Sequence, residues 1–176
     1  MEVQKAKAGK FVLNYGLLLG GILIVIGVIM YVTNYHLEPH WSFMLITFAA
    51  FIAVVIYGLK AFKAENGGFL SLGEAIKVAV GIGLIAAIIG GLWTILLATV
   101  IEPDYMVQMA DIQREQMLEQ FPEMTDAQID NAMEMGAPFR SPWIAFASGL
   151  VMYMFFGLII GLIAGLIMRE KRPYDV

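Results

Sequence analysis

The sequence predicts an all-α membrane protein, one domain built as a four-transmembrane-helix bundle with both termini in the cytoplasm. Three observations predict it. Of 176 residues, 60% are hydrophobic and 15% charged, with a mean hydropathy of +0.76, whereas a soluble domain carries about a quarter charged residues. Four apolar runs reach or approach the roughly 20 residues a helix needs to cross the hydrocarbon core. Lysine and arginine fall almost entirely on one side of those runs, the asymmetry that sets orientation. This composition excludes a disordered chain. A net charge of −4 and a pI near 5.1 exclude a typical nucleic-acid binder. The chain has no cysteine, which excludes disulfides, thiolate catalysis and cysteine-ligated metal.

The first span covers residues 11–33 and follows Lys5, Lys7 and Lys10. A cleavable signal segment has a shorter apolar stretch and a small-residue cleavage site, so this run is expected to stay as a helix. The second span, residues 41–59, is short. Between the two lie His36, Glu38, Pro39 and His40. Two imidazoles and a carboxylate are zinc-type ligands, but Pro39 prevents the regular helix such a site commonly uses. The two histidines read as ordinary boundary residues, with a pH-sensitive contact to the acidic segment as an alternative.

The third span, residues 73–100, begins with a capping box, in which the Ser71 hydroxyl takes a free backbone N–H and Glu74 reaches back. The turn chemistry of Asn66-Gly67-Gly68 precedes it, so helices two and three are expected to form an antiparallel hairpin. The fourth span covers residues 143–168. Lys5, Lys7, Lys10, Lys60, Lys63, Lys77, Arg169, Lys171 and Arg172 lie on one side, and only Arg114 and Arg140 on the other. The residue 102–140 segment therefore faces outward. Trp41, Trp93, Tyr105 and Trp143 fall near the outer boundary, where amphipathic rings favour the headgroup level.

Small residues recur every fourth position. The fourth span has Gly149, Gly157, Gly161 and Gly165 in one ridge with Ala145 and Tyr153, the third has Gly83, Ala87 and Gly91, and the first has Gly16 and Gly20. Lipid offers no hydrophobic drive between helices, so such rows permit the close packing that must replace it. Packing within one subunit is expected, and a dimer face at Gly157, Gly161 and Gly165 is the alternative. Polar groups within the spans are few: Asn14, Tyr15, Ser42, Thr47, Thr94, Thr99, Ser148 and Tyr153. No charged side chain lies at a midplane and no span has an interior proline, which argues against a self-contained secondary transporter. Asn14 is the expected interhelical hydrogen-bonding residue.

The outer segment carries nine acids against Arg114 and Arg140, a net −7. Unstructured loops of this length are uncommon, and two amphipathic helices are predicted, over residues 103–120 and 125–135. Pro103 suits a first helical turn, Phe121-Pro122 ends the first helix, and Thr125 with Gln128 forms a second capping box. Met106, Met109, Met117, Phe121, Ile129 and Met133 make up the apolar face. Methionine suits adaptable binding surfaces, so packing on the bundle and a partner surface are both readings. Copper bound through thioethers is a weaker one.

The order of these features is specific. A basic N-terminal tail and two spans lead to Tyr57-Gly58, then to Phe69-Leu70-Ser71-Leu72-Gly73-Glu74-Ala75 before the third span, an acidic Met- and Gln-rich segment, and Ser141-Pro142 before the fourth. From about Asn14 to Met168 this resembles the domain of unknown function 4199 family, small four-helix bacterial inner-membrane proteins found mostly in Bacteroidetes. The resemblance implies a four-span membrane fold and supplies no catalytic residues. The expectation is a non-enzymatic, multi-pass inner-membrane protein that uses no cofactor and no metal. It sits among membrane lipid and assembles with itself or with a membrane or periplasmic partner through its outer acidic helices. The alternative is a transport or channel component active as an oligomer. Lipid enzymology is the weakest reading, because no nucleophile–base pair or phosphate-binding glycine loop is present.

Overall fold

In the computed structural model, residues 6–170 are described. Lys5, Lys171 and Arg172, counted above for orientation, lie outside them. The described chain is all helical: α1 (Ala8–Val32), α2 (Trp41–Glu65), α3 (Leu72–Leu96), α4 (Tyr105–Gln120), α5 (Asp126–Gly136) and α6 (Pro142–Met168). A wide π turn, Leu97–Ile101, extends α3, and a tight turn, Ala137–Arg140, leads into α6. Four helices are long and apolar enough to cross a membrane: α1, α2, α3 with its π turn, and α6. They leave large apolar side chains such as Val25, Met44, Val151 and Ile167 exposed, as lipid-facing surfaces must.

Each boundary has a local cause. Asn34 stands left-handed (φ 59°) just past α1, while Asn34 N–H donates to Tyr31 O and Tyr35 N–H to Met30 O, the Schellman pattern that satisfies a helix's last carbonyls. Past α2, Gly67 (φ 74°) takes the same role and Gly68 N–H reaches Lys63 O. The helix therefore runs to Glu65, six residues beyond the apolar stretch predicted from sequence. Lys60 and Lys63 end the hydrophobic run without ending the helix. Both predicted capping boxes form, Ser71 with Glu74 and Thr125 with Gln128. Pro103 stands ahead of α4 and not in its first turn, and Asp104 is the N-cap residue.

α3 is the central helix. It packs chiefly against α6 and α1, and only slightly against α2. The turn between α2 and α3 is tight as predicted, but the expected α2–α3 hairpin is not the main packing unit. The reason lies in the glycine rows. A Cβ at Gly161 would meet Ala79 Cβ at 2.8 Å and Ile76 Cα at 3.1 Å, and one at Gly157 would meet Ala79 O at 2.9 Å. Gly165 lies against Ala75 and Leu72, and Gly83 against the Tyr153 carbonyl. On the opposite face of α3, Gly16 meets Ile85 and Gly20 meets Ile89. The ridge from Gly157 to Gly165 is thus occupied by α3 of the same chain. Gly149 is different: a Cβ there would meet nothing within 4 Å. Asn14 is exposed and its side chain forms no hydrogen bond among the described residues, because its face of α1 turns away from the bundle. The buried polar residue is Asn66, which accepts from Ala6 N–H and donates to Phe69 O.

The core is lopsided. Phe11 and Leu19 on α1, Val55, Leu59 and Phe62 on α2, Val78 and Ile82 on α3, and Ile160 and Ala164 on α6 form it. Most of it lies toward the end that carries the start of α1, the end of α6 and the α2–α3 turn, here called the basic end. Polar ties close that end. Leu70 and Glu170 exchange backbone hydrogen bonds, Lys63 Nζ donates to Met168 O and to Glu170, and Lys10 pairs with Glu65 at 2.9 Å. Toward the opposite, acidic end the four long helices bury little.

Candidate functional site at the acidic end

The acidic end combines a polar knot with a cleft. The π turn ends α3 with Glu102 N–H bonded to Leu97 O. Wide turns of this kind recur at functional sites. The Glu102 carboxylate then accepts twice, from His36 Nε2 at 2.8 Å and from Gln108 Nε2 at 2.8 Å. A carboxylate only accepts, so His36 donates through Nε2. Its ring stacks on Tyr105, with centroids 6.1 Å apart, and tilts against Tyr31 at 5.1 Å. The loop after α1, the end of α3 and the start of α4 are joined here. Burial, and secondarily the charge of Glu102, hold the Tyr105 phenol above its ordinary pKa.

The two loop histidines part. His40 Nδ1 accepts from Ser42 N–H and contacts Ser42 Oγ at 2.9 Å, which caps α2. Among the described residues, no three histidine or acidic side chains gather as a metal-binding group.

Two adjoining spaces lie around this knot. The deeper, about 320 Å³, sits between α1, α3 and α6 and is bordered by Leu23, Ile26, Trp93 and Phe146, with His36 and Tyr105 at its polar side. The second, about 660 Å³, lies under α4 and includes Met106, Met109, Gln113, Gln116 and Arg140. Thr94, Tyr105 and Ala145 border both. The Thr94 and Thr99 hydroxyls bond to Gly90 O and Ile95 O of their own helix.

The residues predicted as an apolar partner face therefore scatter. Met106 and Met109 line the cleft beneath α4, Met117 and Met133 are half-buried, and Phe121 is exposed. Ile129 is fully buried and cannot offer a partner any surface. α4 buries none of its residues. Its outward positions include Val107, Asp111, Glu115 and Leu118, one helical face at spacings of four, four and three. Arg114 ties α4 to α5 through Asp126 at 3.6 Å and Asp130 at 3.3 Å.

The contact with the acidic segment that the sequence offered as an alternative forms for His36, with Glu102, and not for His40, while the grouping of Glu102 with Tyr105 and Gln108 was not foreseen. Sequence reasoning also passed over Arg140, although that residue stood out as one of only two bases on the acidic side. The protein family described as "Protein of unknown function (DUF4199)" matches residues 14–170. No curated protein and no solved structure matches the chain.

Proposed function

Because the chain belongs to the DUF4199 family of proteins of unknown function, we propose a role from its geometry: a non-enzymatic inner-membrane subunit whose acidic end recognises a partner or a second copy. Both termini lie in the cytoplasm and the segment between α3 and α6 faces outward, in keeping with the nine-to-two split of basic residues. One observation carries the reading. α4 buries none of its residues, and its outward face sets Asp111 and Glu115 between Val107 and Leu118. A segment that served only to cover the bundle would bury more of itself. Acidic residues interspersed with apolar ones give a surface with both steering charge and contact area. The family assigns no activity that competes with this.

A transport component assembled as an oligomer is the second reading. The cavity between α1, α3 and α6 favours it. Leu19, Leu59 and Ile82 fill the basic half with no exposure, so a path would have to form between subunits.

Photo-crosslinking in intact cells tests the proposal. A benzoylphenylalanine at Leu118 is expected to capture a protein or a second copy, while one at the lipid-facing Leu17 captures neither. Capture from Leu17 alone would overturn it.

A further inference from the structure

Arg140 is the exception in a segment that holds nine acids. Arg114, the other base there, has two carboxylate partners, whereas Arg140 has none among the described residues. One edge of its guanidinium caps α5, with Nη2 donating to Met133 O at 2.8 Å and contacting Met133 sulfur at 3.2 Å. Its Nε is buried and meets no hydrogen-bond partner among the described residues. A guanidinium with no carboxylate partner is matched best by a carboxylate or phosphate. Arg140 borders the larger cleft.

The neighbouring space has a polar edge of its own. His36 borders the deeper cavity, and its side chain is 9% exposed. Glu102 engages Nε2, and Nδ1 is buried with no partner among the described residues. With Nε2 carrying the proton given to Glu102, Nδ1 is an acceptor and offers an anion nothing, so Arg140 is the one basic side chain bordering either space among the described residues. Both spaces are mainly apolar, and a basic side chain borders only the outer one. Gln113, Gln116 and Arg140 border the outer one, with the water-exposed Glu38 at its rim. Leu23, Ile26, Trp93 and Phe146 make the deeper one apolar. Both fall in the usual size range of small-molecule sites, roughly 300–1,000 Å³.

We propose that the two spaces together hold one anionic amphiphile, its phosphate or carboxylate head at Arg140 and its hydrocarbon chain between α1, α3 and α6. A free inorganic anion would leave the apolar cavity unused. A neutral lipid would leave Arg140 unmatched. The site is separate from the outward face of α4 and does not depend on that face having a partner.

Trp93 borders the deeper cavity, while Trp41 and Trp143 are exposed, and the chain has no other tryptophan. A background of Trp41→Phe and Trp143→Phe makes Trp93 the sole reporter. The purified full chain in detergent is titrated with three bromine-labelled quenchers: dibromostearate, phosphatidylglycerol with dibrominated chains, and diacylglycerol with the same chains. Saturable quenching is expected with at least one anionic probe and not with diacylglycerol. Which anionic probe saturates separates a fatty acid from a phospholipid. Arg140→Gln should weaken apparent affinity roughly tenfold or more, the usual value of a hydrogen bond to a charged group. Gly149→Leu should lower the quenching plateau, since Gly149 borders the cavity and has open space at its Cβ position. That variant decides the matter if Arg140→Gln fails to fold. The proposal is overturned if diacylglycerol quenches as the anionic probes do, or if either folded variant titrates like its parent. It is also overturned if no probe saturates, the result expected where a protein helix fills the cleft.

Discussion

Glu102 binds two donors from two different elements, and both contacts are partly buried. Removing the carboxylate strands both, and each buried donor without a partner costs about 1–3 kcal/mol. Glu102→Ala should therefore lower the thermal midpoint in detergent by more than Gln108→Ala does. Equal effects would mean that His36 gains nothing from the pair. Tyr105 gives a second reading of the same knot. Its phenol is held above the ordinary value of 10.0, first by burial and then by Glu102. A raised pKa means that the neutral phenol is the form the fold accommodates. Its contribution is whole below pH 10 and is lost as pH rises through the folded value. Difference absorbance of phenolate between the parent and Tyr105→Phe should show Tyr105 ionising above pH 10, and ionisation at or below that value contradicts the burial seen here. At this scale the sequence named both partners only where they are close along the chain, and for His36 it offered the acidic segment without singling out Glu102. Ser71 with Glu74 and Thr125 with Gln128 are three residues apart, so spacing alone exposed them. His36 and Glu102 meet only because α1 and α3 bring their ends together, and no local period encodes that.

The glycine rows show what a period can and cannot say about an element. Spacing of four marked a small-residue ridge on α6 but not which surface fills it. The structure places α3 against Gly157, Gly161 and Gly165 and leaves Gly149 open. Gly161→Leu should then cost stability on the order of 1–3 kcal/mol or more, because the Ile76 backbone cannot move aside as a side chain could. Gly149→Ala, in the same ridge, should be neutral or stabilising by about 0.5–1 kcal/mol, the ordinary gain of alanine over glycine inside a helix. Thermal unfolding of the two variants side by side checks the pair. Reversed ranking would mean that another chain covers the ridge. α4 makes the complementary point. Its methionines suited either packing on the bundle or a partner surface, and Met106 and Met109 line the cleft beneath it. Residues three and four apart share a helix face whether that face meets water, lipid or protein, so periodicity alone cannot say which face turns inward.

Across the whole molecule, four apolar helices bury most of their core toward the basic end, and the clefts lie toward the acidic end. The spans were readable from length and hydropathy, and their count is the same in sequence and structure. The lopsided core was not, because hydropathy is nearly uniform along each span while packing depends on where small residues face one another. The proposed orientation rests on the distribution of basic residues. With no native cysteine, single cysteines at Glu119 and Lys60 can be probed with a membrane-impermeant maleimide on cells whose outer membrane is permeabilised. Labelling at position 119 and protection at position 60 are expected, and the reverse would invert the topology. The central claim is that the acidic end assembles this chain with another. The most direct measurement is the mass of the complex extracted in mild detergent, with and without neutralisation of the α4 face by Asp111→Asn, Glu115→Gln and Glu119→Gln. The account predicts an assembly heavier than the 19.4 kDa chain that falls to the single chain in the neutralised variant. A single chain in both, or an assembly that the substitutions leave intact, would contradict it.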